Sequence, residues 1–219
     1  MKVIIAGEVP FIDDIGRLCR GAAHDTAIFL VEDLLGATAA GYALETLVGA
    51  DVAIELHNES AAAKQALLLA LSAHLPPHAL ILTSALATSA TQAAAWVARP
   101  ERVVGFGVVP PLAGDGLVEL AMAMQTAAPA PAQAELFWRG LGQEPLWVGD
   151  GPGLVRARTV CCLINEAAGL LLEGVAEAAD IDRAMQLGTN YPHGPLAWGD
   201  LIGLDGALGV MNGLFAEWC

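Results

Sequence analysis

Up to about residue 148 the chain alternates short β-branched or aliphatic runs with stretches of helical length, and beyond that point it is helical only. Strand, turn and helix in strict rotation demand a sheet covered on both faces, because each buried run is apolar on both sides. The runs predict strands over Lys2 to Gly7, Thr26 to Val31, Asp51 to Leu56, Ala79 to Thr83, Arg102 to Val109 and Pro145 to Val148. Between them, helices are expected over Asp13 to Gly21, Leu34 to Val48, Ser60 to His74, Thr91 to Val97 and Ala132 to Leu141, with Pro76 and Pro77 stopping the third. The order implies a doubly wound parallel sheet. Gly149-Asp150-Gly151-Pro152-Gly153 breaks the pattern, so a domain boundary is expected near residue 150. Helices then follow over Val155 to Leu172, from a cap at Asp180, and from Leu201 to Trp218.

Charge narrows the partners. A formal net charge of −14 disfavours nucleic acid and anionic membranes, which need clustered Lys and Arg. A phosphate-rich ligand would need a local amide-lined or positive cradle. No apolar run reaches bilayer length, since the longest, Ala66 to Leu82, is broken by His74, Pro76, Pro77 and His78. The chain therefore reads as soluble and cytoplasmic. Cys19, Cys161, Cys162 and Cys219 lack CxxC spacing and read as free thiols, with no metal site.

The C-terminal third holds the most specific pattern. Asn165-Glu166-Ala167, Asp180 and Asp182, then Gly188, Pro192, Gly194 and Pro195, and finally Asp200-Leu-Ile-Gly-Leu-Asp205 follow in order. That series resembles the helical domain of the 3-hydroxyacyl-CoA dehydrogenase family. Arg99-Pro-Glu-Arg-Val-Val-Gly105 and Leu117-Val-Glu119-Leu are similar to the segments around that family's catalytic strand, and Glu55, Glu59, Lys64 and Thr83-Ser84 to those near the nicotinamide. The resemblance implies a shortened Rossmann-like α/β domain over residues 1–150, an all-α domain over 151–219, NAD as cofactor, an acyl-CoA ligand and a homodimer formed through the C-terminal helices.

It also assigns roles. Ser84 would bond the substrate oxygen, Glu119 would orient a catalytic histidine, and Asp33, Glu59 and Lys64 would face the cofactor. The bare residue types allow other readings: Ser84 as a turn residue, Glu119 as a structural carboxylate, Glu59 as a first-turn acid and Lys64 as a surface lysine. Against the family pattern, Gly107 stands where the proton-accepting histidine belongs and Ala157 where an asparagine belongs. The glycine fingerprint after the first strand reads Ala6-Gly7-Glu8-Val9-Pro10-Phe11, with a carboxylate, a residue without an amide and a bulky ring. Only a short stretch, Leu34 to Val48, stands where relatives insert a helical hairpin, and relatives continue past Trp218. Three functions stay open: an NAD-dependent dehydrogenase, a non-catalytic binding or assembly partner, and an altered enzyme using Ser84 and Glu119. His57 is the one histidine placed to replace the missing base, although a packing role suits it too. Trp198 is expected at the surface as a subunit contact.

Overall fold

The computed structural model describes residues 1–39, 45–110, 112 and 116–219. Among them seven strands form one sheet: β1 (Lys2–Gly7), β2 (Asp25–Leu30), β3 (Val52–Leu56), β4 (Leu80–Ser84), β5 (Val103–Gly107), β6 (Leu117–Met122) and β7 (Glu144–Trp147), in the order β2-β1-β3-β4-β5-β6-β7. The helices are α1 (Phe11–Gly21), α2 (Val31–Ala39), α3 (Glu45–Val48), α4 (Ala61–His74), α5 (Ala90–Ala95), α6 (Ala130–Gly140), α7 (Arg156–Leu172), α8 (Ala178–Thr189), α9 (Pro195–Ile202) and α10 (Leu204–Trp218).

The pleat sorts the core into two layers. Val3, Ile5, Ile54, Leu82 and Phe106 face α1, α6 and the C-terminal helices, whereas Ile4, Ala53, Ile81 and Val103 face the side of α2, α4 and α5. Residues of α7, α9 and α10, among them Val160, Ile164, Ile202 and Val210, lie in the first of these clusters, so the helical region and the sheet share one continuous core.

Several expected boundaries move. The fully parallel sheet does not hold, because β6 runs antiparallel to β5. The nine residues joining them are too few for a crossover helix, which a parallel return requires. β2 ends at Leu30, and Glu32 and Asp33 enter the first turn of α2, where carboxylates favour the positive helix end. The stretch expected as one helix from Leu34 to Val48 contains α2 and α3, and residues 40–44 lie outside the described ones. Asp180 is inside α8, whose cap is Glu177. The last expected helix is two: Gly203, at φ +88, adopts a backbone that L side chains rarely take and turns α9 into α10. Trp198 is half-buried and packs edge-on against Tyr191 and His193 rather than standing free.

Candidate functional site

In an open α/β sheet, ligands bind beyond the C-terminal strand ends, where neighbouring connections diverge to opposite faces. β1 has β2 on one side and β3 on the other, so that point lies beyond Gly7 and Leu56. The two strands approach so closely that a Cβ on Gly7 would sit 2.6 Å from the Leu56 Cβ. Glu8 then crosses the gap. Its Oε1 accepts the Asn58 amide at 2.9 Å and its Oε2 lies 2.7 Å from His57 Nδ1. His57 Nε2 accepts the Ser60 amide at 3.1 Å, which leaves the ring proton on Nδ1, toward Glu8. Both side chains are largely buried, and the carboxylate raises the His57 pKa above the ordinary imidazole value against the opposing pull of burial.

The start of α1 is equally closed. Pro10 has no amide, Ile12 donates to the Glu8 carbonyl, and Asp13 and Asp14 both donate to the Pro10 carbonyl while placing two carboxylates in the first turn. The Phe11 ring is buried. With Val109, Ala157 and Cys161 it lines a space of only about 10 Å³ between the sheet and the C-terminal helices, room for one water at most. Burial pushes the Cys161 thiol up to about 12, which keeps it protonated and unreactive.

Lys64 is not on the surface. It is 1 % exposed, and its ammonium meets the carboxylate of Glu55, itself fully buried, and donates to the His57 carbonyl at 3.1 Å. Glu55 also accepts Thr83 Oγ1 at 2.7 Å and the His57 amide at 2.6 Å. A carboxylate inside an otherwise aliphatic parallel strand was the sequence signal for such a partner, since charged groups are rarely buried unpaired. Glu59 is exposed, as is Asp33 on α2.

Ser84 and Glu119 do not converge. Ser84 aligns with Phe106 on β5, and Glu119 aligns with Gly107 from the other side of that strand, so their backbones are roughly 10 Å apart across the sheet. Ser84 is buried and donates to Asn58 Oδ1 at 2.7 Å. Gly107 does stand opposite Glu119, the right place for an imidazole to meet it. The space is taken, however: a Cβ on Gly107 would lie 2.8 Å from Leu154 Cδ1 and 3.5 Å from Glu119 Oε2. Leu154 reaches that position from φ +48, a conformation that sequence patterning does not reveal. Ala157, where the asparagine would be, is buried in the core.

Glu119 holds the start of α7, taking the Arg156 amide at 3.1 and 3.2 Å on its two oxygens. Burial raises its pKa above 4.5, and the amides oppose that rise. A carboxylate that binds its proton more tightly in the folded state adds stability at low pH, and this contribution is lost as pH rises from 4.5 through the folded pKa. Glu119→Gln keeps an acceptor and removes the charge. The variant is expected to gain on the parent, in urea midpoint, as pH is raised from about 4 to about 7; parallel profiles would show that Glu119 does not titrate in this way.

Residues 21–151 match the model for the 3-hydroxyacyl-CoA dehydrogenase NAD binding domain, and residues 153–219 match the model for the C-terminal domain. A probable 3-hydroxybutyryl-CoA dehydrogenase of Bacillus subtilis is 34 % identical over 182 residues, 83 % of this chain and 63 % of that protein. The 3-hydroxybutyryl-CoA dehydrogenase of Clostridioides difficile is 34 % identical over 173 residues, 79 % of this chain and 62 % of the relative. The chain thus spans less than two thirds of the length of these curated relatives. Crystalline (S)-3-hydroxybutyryl-CoA dehydrogenase from Ralstonia eutropha superposes with a TM-score of 0.78 at 28 % identity, covering 99 % of this chain and 87 % of that one. On the strength of both domain matches and these identities, the chain belongs to the 3-hydroxyacyl-CoA dehydrogenase family.

Proposed function

We propose that this chain is a family member that has given up NAD-linked dehydrogenation and serves acyl-CoA metabolism as a non-catalytic binding or assembly partner. The observation that carries the reading is Glu8, whose carboxylate spans the β1–β3 crevice to His57 and the Asn58 amide. A dinucleotide's pyrophosphate needs free amides there, and the residues present do not fit it: they offer three carboxylates, Glu8, Asp13 and Asp14, and a proline. At the chemical end, Gly107 carries no base and Leu154 fills the room for one. The third possibility, an altered enzyme built on Ser84 and Glu119, is disfavoured because both side chains are buried, separately engaged and two strands apart.

In this reading residues 1–150 keep the NAD-binding architecture as a scaffold and residues 151–219 form the helical domain. Calorimetric titration with millimolar NADH is expected to give no heat of binding, and acetoacetyl-CoA with NADH no oxidation. Measurable turnover, abolished by Glu119→Ala, would restore the dehydrogenase reading.

The homodimer belongs to the same proposal. Leu204, Leu208, Phe215 and Trp218 are 57 to 69 % exposed along α10, and with Met211 they repeat at alternating steps of four and three, the spacing of a helix seam. Two copies would cover roughly 500 Å² each, near the lower bound for a stable pair. Light scattering is expected to give a dimer, turned to monomer by Leu208→Lys with Phe215→Lys. A monomeric parent at micromolar concentration would remove the idea. No helix among the described residues is long and apolar enough to cross a membrane, and a cytoplasmic location is part of the proposal.

A further inference from the structure

His57 holds two partners that make opposite demands on its ring. Nδ1 lies 2.7 Å from Glu8 Oε2, and Nε2 accepts the Ser60 amide at 3.1 Å. A neutral imidazole with its proton on Nδ1 serves both at once. An imidazolium carries a proton on each nitrogen, so it keeps the carboxylate, now as an ion pair, and has no lone pair left for the amide. Two N–H groups would then point at each other across 3.1 Å.

The fold decides which neighbour gives way. The backbone of His57 is fixed on both sides, its amide donating to Glu55 Oε1 at 2.6 Å and its carbonyl accepting the Lys64 ammonium at 3.1 Å. The Asn58 amide is held by Glu8. α10 presses on the same residue and on the turn after β4: a Cβ on Gly209 would lie 2.4 Å from the Asn58 carbonyl oxygen, and one on Gly213 would lie 2.1 Å from that of Ala87. Glu59 and Ser60 are exposed instead. Ser60 caps α4, with the Ala63 amide on its hydroxyl at 3.4 Å and the Lys64 amide on its carbonyl at 2.9 Å. A freed Ser60 amide meets water, so its release costs little.

The charged groups around the ring favour the proton on balance. Glu8, from the β1–α1 turn, contributes most and Glu55 of β3 adds to it, while burial and the Lys64 ammonium of α4 oppose them; the net effect holds His57 above the ordinary imidazole value. Asp200 of α9 and Asp205 of α10 share a cleft of about 230 Å³ with Glu8 and Glu59, and among the described residues no Lys or Arg lines it.

We propose that His57 is a proton switch in the β3–α4 turn: on protonation it keeps Glu8 and lets go of the Ser60 amide, which frees the Glu59–Ser60 edge of this cleft and loosens the first turn of α4. The ion pair with Glu8 adds stability that is full below pH 6.5 and is lost as pH rises through the folded value, whereas the Ser60 bond forms over that same rise. The switch rests on the two ring contacts, not on the loss of NAD binding, so the NADH titration and the experiment below fail independently.

Water-exchange NMR on the full chain, between about pH 5.5 and about pH 9, reads each amide's exchange against the intrinsic rate of its sequence, and the ring nitrogen shifts report the charge on His57. Protection of the Ser60 amide is expected to fall about tenfold from the alkaline to the acid end, in step with protonation of His57, while that of Asn58 is kept. His57→Gln retains a side-chain acceptor that does not titrate, and should abolish the pH dependence. Glu8→Gln keeps an acceptor for the Asn58 amide without the charge, and should move the Ser60 transition to lower pH. Constant Ser60 protection, a change out of step with the His57 ring, the same change in His57→Gln, or no displacement in Glu8→Gln would each overturn the proposal. Should either variant unfold, the titration of the parent decides by itself.

Discussion

Lys64→Met is expected to cost about 3–5 kcal/mol, because it strands the Glu55 carboxylate in the sheet with only neutral donors. Among the described residues the Lys64 ammonium is the one Lys or Arg group paired with Glu55, and neither side chain is more than 1 % exposed. Water cannot replace it without opening the α4–sheet contact. Equilibrium urea unfolding should show a large drop in midpoint with an unchanged slope. The double variant Lys64→Met, Glu55→Leu should recover more than half of the loss, since the buried charge goes with its partner; Thr83 Oγ1 and the His57 amide, both bonded to Glu55, keep the recovery incomplete. A single variant within about 1 kcal/mol of the parent would mean that the pair is solvated in solution. The lysine that resembles a cofactor contact is thus paired with a carboxylate of β3.

Gly107→His, the substitution that would rebuild the family's histidine, is expected to destabilise the chain by roughly 1–3 kcal/mol and to give no dehydrogenase activity. The Cβ alone meets Leu154 Cδ1 at 2.8 Å, and an imidazole needs far more room. Adding Leu154→Gly empties that space and relaxes a backbone now held at φ +48. The two changes should therefore couple, with the pair more stable than the sum of the singles by about 1 kcal/mol or more. Even then NADH oxidation should stay at background, because Glu8 still occupies the crevice at the other end of the site. A histidine variant as stable as the parent would show that Leu154 is not an obstacle. One that reduces acetoacetyl-CoA would overturn the proposed function as well.

These two cases show which part of the site was legible. Gly107 follows from an ungapped count back from Glu119, whereas Glu8, Phe11 and Ala157 stand only where the resemblance would put two glycines and an asparagine. Lys64 was misplaced as a cofactor or surface residue because its partner, Glu55, belongs to a different element, and only the docking of α4 on the sheet brings them together. Ser84 and Glu119 look like parts of one site when listed by role, yet β5 lies between them. His57 was a lone histidine near a strand end until the register of β1 beside β3 set it against Glu8, forty-nine residues away.

By itself the sequence determined the class of fold and the family. Alternation of buried strands with helices, then helices alone, leaves few architectures, and the ordered series from Gly188 to Asp205 is specific in combination. Both are local patterns repeated along the chain, which is why they survive without coordinates. Tertiary structure decided what surrounds the Glu8 carboxylate, the Leu154 side chain and the Phe11 ring. Those contacts join segments far apart in the chain, and they follow from strand register, the antiparallel turn into β6 and the seating of α10 on the turns after β3 and β4, none of which is written in the spacing of any one segment.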